Sequence, residues 1–129
     1  EWGAFPSEKF TNDLIRHMNG ILEKNLWGSA YCEYHPGMES DANFSSLCRT
    51  FPAETAGKLE MYRYDEDVQR FEMIFEAEGS GETRIFCSFI PQGVECNLPH
   101  SFRIEQLSDR SCCCFLKTDI AGRACVVVK

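Results

Sequence analysis

With 129 residues, 43% of them hydrophobic and 26% charged, the chain has the composition of folded protein and not of a disordered segment. Its formal charge of −7, from 20 acidic against 13 basic residues, is the wrong sign for phosphate backbones, so nucleic acid is not expected as a partner. No apolar run approaches the roughly 20 residues that cross a bilayer as a helix, and the length is about half of the roughly 250 residues that a complete eight-stranded α/β barrel needs.

The chain begins with Glu1-Trp2-Gly3-Ala4-Phe5, a carboxylate on a short apolar run that reads as a strand. Pro6-Ser7 then starts a helix, with Ser7 as N-cap and Glu8 in the first turn. Phe10, Leu14, Met18 and Ile21/Leu22 recur every three to four residues and predict one apolar stripe on that helix, which Lys24-Asn25 ends. Leu26 to Tyr34 is an apolar and aromatic run of strand length, closed by His35-Pro36-Gly37. Strand, helix and strand in this compass predict a βαβ unit with parallel pairing. A lone βαβ unit cannot cover both faces of its sheet, so residues 1–48 are expected to be an incomplete domain and the chain part of a longer one.

Met38 to Ser46 is polar and reads as a loop, and residues 49–57 read as a connector. Beyond Gly57 the apolar period changes to two. Leu59, Met61 and Tyr64 precede a turn at Asp65-Glu66-Asp67, and Phe71, Met73 and Phe75 alternate with Glu72 and Glu76. Ile85-Cys87-Phe89, Val94-Cys96-Leu98, Phe102-Ile104, Cys112 to Leu116 and Cys125 to Val128 bring the expectation to about seven short strands. Turn signals between them predict an antiparallel β-sandwich over residues 58–129. Glu76, Glu78 and Glu82 around Gly79 and Gly81 read as a solvated hairpin end without the spacing of a calcium loop.

Eight cysteines are many for this length, and their number leans towards an oxidising compartment. Neither C-x-x-C nor a Cys/His pair at zinc-ligand spacing occurs, so no metal and no cofactor is expected. In the run Cys112-Cys113-Cys114 neighbouring side chains alternate across a strand, so at least one is expected to be buried as a small hydrophobe. Asn43-Phe44-Ser45 is a glycosylation sequon. His35 reads as a turn residue, and Trp2 and Trp27 read as core side chains before they read as sugar platforms.

Three segments in order carry a family resemblance: Glu1-Trp2-Gly3-Ala4, then Leu26 to Pro36, then Arg49-Thr50-Phe51-Pro52-Ala53-Glu54-Thr55-Ala56-Gly57. Together they resemble the end of a glycoside hydrolase family 5 barrel and the connector of its endoglycoceramidase-like branch. The resemblance implies an α+β fragment in which residues 1–48 end a (β/α)8 barrel, 49–57 connect, and 58–129 form the C-terminal β-sandwich. It further implies a retaining glycosidase that cleaves β-glycosidic bonds, those of glycosphingolipids in that branch. Glu1 would be the nucleophile at the end of the seventh barrel strand, where barrel active sites lie, and Cys32, Glu33 and Tyr34 would line the substrate site. Cys32 stands where the family places an aromatic platform, and a thiol cannot stack on a sugar. Retention needs a second carboxyl about 5–5.5 Å from the first. By the resemblance it comes from the fourth barrel strand, which these residues do not include, so this polypeptide alone is expected to be inactive. The implied partners are a glycolipid or β-glucoside and a membrane surface met peripherally, in a secreted or lysosomal setting. The competing expectation is a non-catalytic β-sandwich that binds carbohydrate or lipid, and a third, resting on cysteine count alone, is a small disulfide-rich secreted protein.

Overall fold

Residues 1–3, 9–32 and 35–129 are described by a computed structural model and divide into two units, Glu1–Cys48 and Arg49–Lys129. In the first unit, helix α1 runs over Thr11–Asn25. The expected N-cap, Ser7, lies outside the described residues, and Phe10 in the cap position contributes no side-chain hydrogen bond. The helix closes at Asn25, as its sequence suggests. Leu26 turns left-handed at φ 53°, and the Trp27 N–H reaches back to the Leu22 carbonyl at 3.0 Å, a Schellman-type close made without glycine.

The buried face of α1 keeps only the second half of the stripe expected from periodicity, where Leu22 is buried and Met18 and Ile21 are half-buried. Thr11, Ile15 and Leu22 are buried, whereas Phe10 and Leu14 are 65% and 47% exposed. The helix is apolar along two edges, and polar clamps select the one that faces its own unit. Asn19 Nδ2 donates to the Ser46 carbonyl at 3.1 Å, and the Ser46 hydroxyl donates to Asn12 Oδ1 at 3.0 Å. Trp27, expected in the core, is 62% exposed. The polar segment expected to be loop carries a 3-10 turn at Met38–Ser40 and a one-turn helix α2 at Phe44–Leu47.

The second unit contains eight strands: β1 Phe51–Glu54, β2 Gly57–Asp65, β3 Arg70–Glu78, β4 Thr83–Cys87, β5 Val94–Cys96, β6 His100–Gln106, β7 Cys112–Thr118 and β8 Ala121–Val128. They form two four-stranded sheets in the orders β1-β4-β7-β6 and β2-β3-β8-β5, with every pairing antiparallel. Strand β1 lies within the segment read as a connector and pairs with the edge of β4. The Gly79–Gly81 turn does not close a hairpin, because β3 and β4 belong to different sheets and the chain crosses between them there.

Register makes the core. In one sheet Phe71, Met73 and Phe75 of β3 face Val128, Val126 and Ala124 of β8, and in the other Ile85 and Cys87 of β4 face Cys114 and Cys112 of β7. All ten side chains are buried in one cluster with Phe89, Val94 and Leu116. Strand β2 keeps its phase only to Leu59. A bulge between Leu59 and Met61 shifts the register, so that Tyr62 and Tyr64 turn towards the core and Met61 is 37% exposed. A half-buried polar link joins β2 to the segments that flank β1 and β4. Thr50 Oγ1 accepts the Ser88 N–H at 3.1 Å, and the Ser88 hydroxyl donates to the Tyr64 phenol oxygen at 3.2 Å. Outside, single ion pairs link strands, Arg84 to Glu54 at 2.8 Å between the neighbours β4 and β1, and Arg123 to Glu60 at 2.9 Å from β8 across β3 to β2.

Candidate active site

The expected parallel pairing of the first unit is present as one bridge, Trp2 to Tyr31. The Trp2 N–H donates to the Ala30 carbonyl at 3.1 Å, and the Cys32 N–H donates to the Trp2 carbonyl at 2.7 Å. Gly3 allows this approach: a Cβ built there would stand 2.0 Å from the Cys32 carbonyl oxygen. The glycine that follows the carboxylate-bearing dipeptide is therefore required by a neighbouring backbone.

The aromatic residues of the bridge hold each other in place. Trp2 meets Tyr31 edge-on, ring centroids 5.0 Å apart at 85°. The indole N–H of Trp2 donates to Ser29 Oγ at 2.7 Å, and Asn43 Nδ2 donates to the Tyr31 phenol oxygen at 3.3 Å. Asn43 is 2% exposed. Its amide nitrogen is thus buried and engaged, and in the folded chain the Asn43 sequon offers no accessible glycosylation site. Ser29 and Asn43 are the positioning residues that sequence reading did not single out. Asn43 carried a signal of another kind, the sequon, and its structural role needed the fold to show it.

Glu1 immediately precedes the bridge and is exposed, and Cys32, also exposed, immediately follows it on the other segment. The fold thus brings two of the four site residues read from the sequence onto adjacent parallel segments. Glu33 and Tyr34 lie outside the described residues. His35 sits in the following turn, where its Nε2 pairs with Asp41 Oδ2 at 2.9 Å, His35 exposed and Asp41 half-buried, the geometry of a turn clasp. An exposed carboxylate beside a rigid aromatic pair can attack an electrophilic carbon or take a proton, provided that a second group handles the leaving atom.

Among the described residues one group of side chains has metal-ligand geometry, and it lies in the second unit: Cys87, Cys112 and Cys114. Cys48, Cys87, Cys96, Cys112, Cys113, Cys114 and Cys125 are free thiols in this structure. The hydrogen bond with Cys114 and burial push the Cys87 thiol far above the usual range, and burial pushes Cys112 up to about 11. The second unit also has an open recess of about 530 Å³ whose lining includes Val68, Phe89, Ile90, Val94 and Phe102. The Lys129–Glu95 pair, 2.6 Å apart, contributes to the same lining.

No family model matches the chain, and no curated protein matches its sequence. Solved structures do match in fold. Endo-glycoceramidase II from Rhodococcus sp. superposes with a TM-score of 0.75 at 17% identity, over 98% of this chain and 32% of that one. The same enzyme in its ganglioside GM3 complex gives a TM-score of 0.67 at 17% identity, over 93% of this chain and 28% of that one. Sterylglucosidase 1 of Cryptococcus neoformans gives 0.69 at 10% identity, over 92% of this chain and 24% of that one. The chain therefore spans about a third or less of the length of the structures that it matches, and at these identities the likeness is one of fold.

Proposed function

We propose that this chain is the C-terminal part of a retaining glycosidase that cleaves β-glycosidic bonds of glycosphingolipids or related lipid glucosides. In this reading it belongs to the endoglycoceramidase-like branch of glycoside hydrolase family 5. Residues 1–48 end a (β/α)8 barrel, and the two sheets of the second unit, from β1 to β8, form the β-sandwich that follows it. The observation that carries the reading is the span of the fold likeness. Nearly the whole chain, both units included, superposes on part of an endo-glycoceramidase and part of a sterylglucosidase. The exposure of Phe10, Leu14 and Trp27 adds support, since barrel elements without their neighbours leave apolar side chains uncovered.

Glu1 is the nucleophile in this mechanism. Its carboxylate attacks the anomeric carbon from the face opposite the leaving group and forms a glycosyl ester. A second carboxyl, outside these residues, protonates the leaving oxygen and then activates the water that hydrolyses the ester. The Trp2–Tyr31 pair and the Gly3–Cys32 approach fix the backbone from which Glu1 projects. Cys32, Glu33 and Tyr34 contact the sugar, with Tyr34 supplying the apolar face that a thiol at position 32 cannot. The polypeptide of 129 residues is inactive by itself, and the parent enzyme meets its lipid substrate at a membrane surface in a secreted or lysosomal setting.

The test is made in the longer protein encoded around this sequence. Glu1→Gln should lower kcat by about 10⁴-fold or more while substrate still binds. Azide should restore turnover to Glu1→Gly with a glycosyl azide of inverted configuration. Hydrolysis at the parental rate in both variants would disprove the assignment, and so would an open reading frame that starts near Glu1. The recess on the second unit favours one other reading, a non-catalytic module that binds carbohydrate or lipid. Glycolipid binding by residues 49–129 alone would support it.

A further inference from the structure

The ladder between β4 and β7 brings Cys87 beside Cys112 and Cys114, which share one face of β7. Cys87 faces Cys112 directly, and Cys114, which faces Ile85, lies diagonally across on the same inner face. Their sulfur atoms all lie within 4.8 Å of one another, and the Cys87 and Cys114 sulfurs are 3.6 Å apart. Each residue is 0% exposed, inside the apolar cluster that includes Ile85, Phe89 and Leu116.

Geometry, softness and charge decide what could sit there. Three sulfurs bound at about 2.3 Å to a single centre stand about 4 Å apart or somewhat less, so small side-chain adjustments would close this triangle around an ion. The donor set is sulfur alone, and among the described residues neither imidazole nor carboxylate belongs to it, which disfavours hard cations. Around it is apolar core, where an uncompensated charge costs several kcal/mol. Three thiolates leave −2 on a monovalent ion and −1 on a divalent one, whereas a trivalent ion leaves none.

We propose that Cys87, Cys112 and Cys114 form a binding site for a trivalent thiophilic ion of the arsenite class, held as a neutral tris-thiolate between β4 and β7. The step is an exchange without oxidation. Three As–O bonds of arsenous acid break and three As–S bonds form. The three thiol protons leave with the hydroxides as water. Because the sulfurs are closed to solvent, uptake follows local opening of the ladder and is slow.

The test uses the full chain, kept reduced with a phosphine and incubated with arsenite until its native mass is constant. A variant with Cys32, Cys48, Cys96, Cys113 and Cys125 all changed to serine should gain one arsenic in place of three protons. X-ray absorption should find three sulfur neighbours and no oxygen. Cys114→Ala in that background should lose the stoichiometric adduct. An unshifted mass in the five-serine variant, an oxygen neighbour, or an adduct that survives Cys114→Ala would each overturn the site. If Cys114→Ala does not fold, the five-serine variant decides through its mass and its sulfur count.

Discussion

Gly57 stands where β2 first meets β3, at φ +142°, a backbone conformation that a side chain rarely tolerates. A Cβ added there would lie 1.9 Å from the Glu76 carbonyl oxygen, 2.9 Å from its carbon and 3.2 Å from the Ala77 Cα. Backbone cannot rotate aside as a side chain can. Gly57→Ala must therefore hold a conformation that costs about 1–3 kcal/mol and also draw β2 away from β3, with a loss of about 1 kcal/mol for the weakened ladder bond. The sum is about 2–4 kcal/mol, a large part of the 5–15 kcal/mol of a typical domain. It corresponds to a fall in melting temperature of about 10–20 °C. Both tryptophans belong to the first unit, so tryptophan emission would miss the event. Urea unfolding should be followed by far-ultraviolet circular dichroism or by the emission of Tyr62 and Tyr64. Gly93→Ala is the control, because a Cβ there meets nothing within 4 Å and its φ is not positive. If Gly57→Ala costs no more than Gly93→Ala, the steric reasoning is wrong.

Three further outcomes can be measured. Thr50→Val should destabilise the second unit by about 1–3 kcal/mol in the same urea assay, because the Ser88 N–H loses its acceptor at a site where Thr50 is 0% exposed; Thr50→Ser should recover most of the loss. Gly20→Ala, in an exposed turn of α1 with nothing within 4 Å of the added Cβ, should stabilise the first unit by about 0.5–1 kcal/mol, read from tryptophan emission during unfolding. The hydrogen bond from Arg123 holds the Glu60 carboxyl below the usual carboxylate range. Since it is the folded value that is depressed, the contribution of this pair to stability is present above the ordinary carboxylate pKa and is lost as pH falls through the folded value. An NMR titration should show the low midpoint in the parent and a rise in Arg123→Gln.

Alternation was legible wherever the two faces of a strand differ, as at Phe71-Met73-Phe75 and Ile85-Cys87-Phe89. It failed where geometry interrupts the period. The bulge after Leu59 reverses the phase of β2 without a glycine or proline at that point to announce it. Strand β1 is short, carries Pro52 and pairs with one neighbour only, so its local signals are those of a linker. In α1 the stripe from Phe10 to Leu22 held at Leu22 but not at Phe10 and Leu14, because Asn12, Asn19 and Ser46, polar or distant in sequence, turn the edge with Ile15 inward. At the candidate active site the sequence supplied Glu1 and Cys32 as residue types in order. The reason for Gly3 was not legible, because the atom that forbids a side chain there belongs to Cys32. The thiol triangle was hidden for a similar cause: Cys112 and Cys114 visibly share a face, but Cys87 joins them only through strand register.

The placement of β8 imposes an order on synthesis. It sits between β3 and β5 and supplies the partners of both, pairing Glu78 with Ala121 at one end of its ladder with β3 and Phe71 with Val128 at the other. As the chain leaves the ribosome, the β2–β3 hairpin can form early, but its inner face, Phe71, Met73 and Phe75, stays without its partner strand until residues 121–128 have emerged. During that interval β3 is an unpaired edge with an apolar face, the kind of surface that joins other chains. A ribosome pause before residue 121, or a premature stop there, should therefore yield a chaperone-bound or aggregated nascent chain, and not merely a slightly less stable one.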